Sequence, residues 1–364
     1  MTLSQTSAIP LKVKRTFRQQ AQALTLPLGL VSLFVATCYS LTIGASDLDA
    51  PKVLAWGLEQ IGGPDAHLTS LQELVLVKIR LPRVLLAILV GSTLAVAGVM
   101  MQGLFRNPLA DPGIIGVANG AALAAVTAIT LSSFLPIWLM DTAGAALLPL
   151  AAFLGAASAT LLLYRAATQG GQTNVATMLL AGIAFSAIAG AFTGVVVFNS
   201  NDDQLRDFTF WTMGSLGGAT WERIVILAPL CLLMLLAMPL LSRGLNALLL
   251  GEAEAYHMGI DTQKTKRAII LLTAAGVGGA VATAGIIGFA SIIVPHVLRQ
   301  IIGPDHRVLL PASAIGGAFL LVLSDMIART IVAPAELPIG IITAIIGAPV
   351  FLSILLSRRR QMQF

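Results

Sequence analysis

Arg80 and Arg83 stand three residues apart in Lys78-Ile-Arg-Leu-Pro-Arg, so their guanidinium groups fall on one face of a helix. Two cations on one face suit the pairing of carboxylates. A third, Arg329, follows Asp325 by four residues in another apolar segment, the spacing of an ion pair within one helix. An unpaired carboxylate in a bilayer costs about 2.5–3.5 kcal/mol on insertion scales, and a local partner lessens that cost. A proton relay would need a chain of titratable groups in the apolar segments, which the sequence does not offer. The four histidines, His67, His257, His296 and His306, lie on separate segments, and no Cys/His/Asp spacing suits a metal site. There is no G-x-x-x-x-G-K-[ST], and no lysine follows a glycine, so the chain has no phosphate loop for ATP.

The polar stretch 243–267 holds the most structured chemistry outside the apolar runs. Gly251-Glu-Ala-Glu-Ala-Tyr-His-Met-Gly259 reads as a short helix stopped by a glycine. Asp261 is placed to cap a second short helix carrying Lys264 and Lys266. Two short helices meeting at a tight turn form a rigid knob, able to seat in a partner's cleft and pass on its motion. Its contact residues are expected to be Glu252, Glu254, Tyr256 and His257.

The elements that position these groups are set by composition. The 364 residues are 57% hydrophobic and 11% charged, with a mean hydropathy of +0.88. A soluble domain carries roughly 25% charged residues, so an all-α polytopic membrane protein is the class that fits. The net charge of +5 does not point to nucleic acid, because the basic residues sit at membrane-flanking positions. Cys38 and Cys231 lie inside apolar runs and read as small core residues. Lys12, Lys14, Arg15 and Arg18 precede a long apolar span without a cleavage site, so residues 1–20 read as a cytoplasmic arm and 21–364 as the membrane domain.

Apolar runs place spans at 24–43, 85–104, 114–131, 145–163, 175–198, 224–241, 308–327 and 339–356. The run 268–297 is too long for one span and splits at Ala284-Gly285, which makes ten. An even number puts the basic arm and Arg358-Arg359-Arg360 both in the cytoplasm, as the positive-inside rule prefers. Arg80, Arg83 and Arg329 then lie on the outer side. The segment around Arg106-Asn-Pro-Leu-Ala-Asp-Pro-Gly113 has a faint echo in Gly285–Leu320, each an apolar helix, a Pro-containing elbow with an Asp, and a small-residue helix. Spans 2–5 and 7–10 would then form an inverted repeat, a transporter trait.

Several stretches in order resemble the permease subunits of type II ABC importers, the FecCD-like family for iron–siderophores, haem and vitamin B12. They include K-I-R-L-P-R (78–83), L-F-R-N-P-L-A-D-P-G-I-I-G-V-A-N-G (104–120), F-W-T-M-G-S-L-G-G-A-T-W (210–221), G-F-A-S-I-I-V-P-H-V-L-R (288–299) and E-L-P-I-G-I-I-T-A-I-I-G-A-P-V-F (336–351). The resemblance implies a multi-pass protein of the bacterial inner membrane, a second permease copy as homodimer or heterodimer, two ATPase subunits that hold the ATP, and a periplasmic binding protein. No cofactor is expected on this chain and no nucleic acid. The resemblance implies docking of the binding protein at Arg80, Arg83 and Arg329, and ATPase coupling at Glu252, Glu254, Tyr256, His257, Gly259 and Asp261. It also implies a cytoplasmic gate at Asn107 and Leu109, facing Thr173 and Asn174. Met100, Met101 and Gln102 are expected to line the path, flexible Met suiting bulky cargo. The expected cargo is an Fe(III)–siderophore, with corrinoid or haem as alternatives. An ion-coupled secondary transporter would need membrane-embedded ionisable groups, which are scarce here. A membrane enzyme would need an acid/base or metal set.

Overall fold

A computed structural model describes residues 17–44 and 48–361, so most of the expected arm lies outside the described residues. Residues 17–20 of that arm already belong to the first helix. In chain order the helices are α1 Phe17–Thr42, α2 Ala50–Glu59, α3 Ser70–Leu74, α4 Leu81–Leu104, α5 Val117–Ser132, α6 Ile137–Ala166 and α7 Val175–Phe198. They continue as α8 Asp202–Thr212, α9 Trp221–Leu248, α10 Glu252–His257, α11 Thr262–Ala284, α12 Ala290–Ile302, α13 His306–Thr330 and α14 Ile339–Gln361. A small antiparallel hairpin, β1 Thr168–Gln169 and β2 Gln172–Thr173, joins α6 to α7.

Seven of the described helices are long and apolar enough to cross a membrane, and three shorter apolar helices complete the expected ten segments. The break expected at Ala284-Gly285 is where α11 ends. With 13 residues, α12 extends about 20 Å at 1.5 Å per residue, short of the ~30 Å hydrocarbon core. The second span begins far earlier than apolarity alone suggested. Helix runs unbroken through Ser70–Leu104, with a π-helical turn at Val75–Arg80. Lys78, Arg80 and Arg83 therefore ride on the helix itself.

Helices α4, α11 and α13 form the centre and α1, α7 and α9 the outside. The most apolar window of Ser70–Leu104 is 83% buried, against 11% for α7. The packing obeys the expected repeat: α4 lies along α13, and α11 lies along α6, the same pair when spans 2–5 exchange with 7–10. The sequence echo was out of step by one helix. In the folded chain the counterpart of the elbow after α4 is the break 285–289 after α11, whereas the echo had set it beside the turn before α13. Where α4 crosses α13, Gly91 and Gly317 meet backbone to backbone, and a Cβ on either would clash with the other's carbonyl oxygen. Without a hydrophobic drive between helices in lipid, such close backbone approach holds the pair together.

Candidate coupling and gating site

Gly251 opens α10 and Gly259 closes it, with φ of +79° at Gly259, a left-handed turn that a β-branched residue would strain. Only one short helix forms there. Asp261 caps the long α11, through its Oδ1 accepting from the backbone N–H of Lys264 at 2.9 Å, so the second short helix expected is the first turns of a membrane helix. That backbone bond, together with the Lys264 ammonium, holds the Asp261 carboxyl below the usual carboxylate range. The inner face of α10 is Ala255, packed with Ala247, Leu248 and Ile260. Its outer face presents Tyr256, 73% exposed, with His257 edge-on to it at 6.2 Å, and then Met258, 61% exposed. Glu254 is exposed on the same short helix.

The hairpin between α6 and α7 is fastened to this loop by α11. Lys266 is buried, and its Nζ donates to Glu252 Oε2 at 2.6 Å and to the Thr173 carbonyl at 2.9 Å. The Thr173 N–H donates to Gln263 Oε1 at 2.9 Å, and Arg267 Nη2 donates to the Gly171 carbonyl at 3.1 Å. Asn174 caps α7, its side chain accepting from the Thr177 N–H at 3.0 Å. An open cavity of about 870 Å³ lies here, lined among others by Arg106, Gln172, Thr173, Asn174, Glu252 and Lys266. The structure thus joins the expected gate residues Thr173 and Asn174 to the expected coupling residue Glu252. Asn107 and Leu109 are not among the lining residues. The Asn107 side chain accepts from the Leu109 N–H at 3.0 Å, which shapes the elbow after α4. The elbow is tied to α12 by the Ser291 hydroxyl, which donates to Asp111 Oδ2 at 2.5 Å.

A second charged cluster sits where α4, α13 and the end of α1 meet. Arg83 donates through Nε to Asp325 at 2.8 Å and through Nη1 to both oxygens of Glu336 at 2.7 and 2.9 Å. Arg329 lies 3.0 Å from the other Asp325 oxygen and donates to the Ser40 hydroxyl at 2.7 Å. This N–H is not aligned on the Asp325 oxygen, so the contact is an ion pair without a hydrogen bond. Arg80 donates to the Leu41 carbonyl at 2.6 Å. The expected arginines are therefore largely buried and engaged within the chain, because they satisfy one another's partners and the end of α1. Glu336 is the group this cluster shows to solvent, its side chain 44% exposed.

Residues 32–357 match the FecCD transport family. The chain belongs to this family. It is a multi-pass ABC importer permease, a transport subunit. The chain is 46% identical over 287 residues to the hemin transport system permease protein HmuU of Yersinia pestis, covering 78% of this chain and 83% of the relative. It is 39% identical to the cobalamin import system permease protein BtuC of Halobacterium salinarum, covering 91% and 89%. A solved metal-chelate type ABC transporter in an inward-facing conformation superposes with a TM-score of 0.78 at 30% identity, covering 92% of this chain and 99% of that one.

In this FecCD permease, Met100, Met101 and Gln102 do not line a surface path. All three are buried inside the single chain, where α4 is enclosed by its neighbours, and Gln102 donates to the Ser291 carbonyl at 3.3 Å. Sequence reasoning also missed Lys266 as a buried cation. The signal was present: Thr262, Lys266, Ile269, Ile270 and Thr273 fall on one helical stripe, and all are buried. Glu336 carried no such signal. Its role depends on Arg83, 253 positions away.

Proposed function

We propose that this permease carries a large metal chelate, with haem as the first reading. The observation that carries it is the 46% identity to a hemin permease. The Fe(III)–siderophore expected from the sequence is a second reading, supported by the family and by the metal-chelate type neighbour. The 39% identity to a cobalamin permease supports a corrinoid as a third.

The working unit is two permease copies in the bacterial inner membrane, with both termini cytoplasmic and lipid around them. Two separate ATPase subunits bind the ATP and seat on α10, whose exposed Tyr256, His257 and Met258 suit a cleft. Glu252, Glu254, Gly259 and Asp261 shape that knob. Thr173 and Asn174 gate the cytoplasmic exit, and the elbow at Asn107 and Leu109 frames it from the other side. A periplasmic binding protein docks at the opposite end, on the surface that Arg80, Arg83 and Arg329 organise beneath Glu336.

The test is uptake into proteoliposomes holding the permease, its ATPase and its binding protein. Radiolabelled hemin, cyanocobalamin and a ferric siderophore are supplied separately, with and without ATP inside. ATP-dependent hemin uptake is expected. Uptake of only one of the other two would move the assignment to that chelate, and uptake of none would overturn the chelate reading.

A further inference from the structure

The Lys266 ammonium lies between two groups that belong to different parts of the machine. On one side is Glu252, the first residue of α10, and on the other is the Thr173 carbonyl at the end of the hairpin. Only 2% of the lysine side chain is exposed, while Glu252 is 47% exposed at the cavity edge. A buried ammonium without partners is strongly disfavoured, so the lysine holds both acceptors wherever they go. Gln263, nearly one turn earlier on α11, and Arg267, the next residue along, hold the same hairpin at the Thr173 N–H and the Gly171 carbonyl. The hairpin is thus pinned at three points to the first turns of α11, and α10 is pinned to the middle one.

We infer that Lys266 is a positioning residue that makes the hairpin move with α10, so that displacement of the short helix shifts Thr173 and Asn174 at the rim of the cavity. The inference rests on the reading of α10 as the ATPase contact. The lysine need not touch cargo or nucleotide. It acts by making two surface elements one rigid body, the kind of unit that can be displaced whole.

The experiment uses the permease–ATPase complex with Cys38→Ser and Cys231→Ala, and spin labels on introduced cysteines. One pair joins Ala253→Cys on α10 to Arg307→Cys at the start of α13. The other joins Gln169→Cys on the hairpin to the same reference. Distances are read by pulsed electron resonance without nucleotide and with ATP plus vanadate. With Lys266 present, both distances should shift together. In K266M the α10 shift should persist and the hairpin shift should be lost, with its distance distribution broadened, and K266R should restore part of it. An α10 shift without a hairpin shift when Lys266 is present would overturn the inference. So would a hairpin that still follows α10 in K266M. If α10 does not move with nucleotide at all, the reading of α10 as the ATPase contact fails and the inference falls with it. Should K266M not assemble, E252A at the half-exposed end of the same contact should likewise lose the hairpin shift, and a hairpin that still follows α10 in E252A would overturn the inference.

Discussion

Arg83 on α4 and Asp325 on α13 form an ion pair of 2.8 Å with both side chains buried, so the two central helices are joined by charge as well as by close backbone contact. Asp325 also faces Arg329, and Arg83 also holds Glu336. Among the described residues Asp325 is the only carboxylate between two buried cations, so the arrangement depends on it more than on either arginine.

Asp325→Ala should therefore destabilise the permease strongly. It leaves Arg83 with Glu336 alone and Arg329 with only neutral acceptors. Breaking a buried pair by removing one partner costs about 3–5 kcal/mol. Thermal unfolding in detergent should show a large loss for Asp325→Ala and a smaller one for Asp325→Asn, which still offers an acceptor oxygen. Equal stability of all three proteins would refute the dependence.

Gly259 makes a second test, because a Cβ there would meet no atom within 4 Å while φ is +79°. Any effect of substitution is then conformational. Gly259→Val should strain the turn by about 1–2 kcal/mol and tilt α10, lowering transport per ATP hydrolysed. Gly259→Asn, which tolerates this backbone region, should behave nearly as the native protein. The ratio of uptake to hydrolysis in proteoliposomes distinguishes the two, and a Val variant with the native ratio would exclude the turn from coupling.

At the α4–α13 crossing the prediction is steric. Gly91→Ala or Gly317→Ala places a methyl against a backbone carbonyl that cannot rotate away. Overpacking of this kind costs about 1–3 kcal/mol, and the two substitutions address one contact, so their effects should be less than additive. Midpoints of thermal unfolding for both single variants and the double variant measure this directly.

Docking of the binding protein should respond to Glu336. This carboxylate is the negative charge the cluster shows to solvent, so Glu336→Gln removes it and leaves the arginines beneath to attract an incoming carboxylate. Association should tighten by about two- to five-fold at low ionic strength, the scale of a partly exposed pair, and the gain should fade as salt screens it. Surface-immobilised binding protein and permease in nanodiscs give the affinities. An unchanged affinity at every salt concentration would place the docking surface elsewhere. Charge reversal at Arg80 or Arg83 is a poorer probe, because both are buried and reversal would disturb the fold first.

Much of the architecture was legible in the apolar pattern. The span 175–198 coincides with α7, and Ala284-Gly285 marks the end of α11. The extension of the second span back to Ser70 was not legible, since Glu73, Lys78, Arg80 and Arg83 interrupt the apolar run there. Arg80 and Arg83 are tolerated because Leu41, Asp325 and Glu336 meet them, and those partners come from distant segments. The α10 turn could be read from its two glycines. The path residues were misplaced because helical spacing says which residues share a face, and says nothing of which neighbour covers it. Met100 and Met101 share their helix with buried residues on every side.

Among the described residues the three hydrogen bonds from α11 to the hairpin end on its main chain: the Thr173 N–H, the Thr173 carbonyl and the Gly171 carbonyl. A backbone group is the same whatever side chain hangs from it. The grip on the hairpin is thus indifferent to which residues other than proline stand at 172 and 173, as long as the turn keeps its shape. Relatives with different cargo could vary those side chains, and with them the character of the exit, while keeping the same handle.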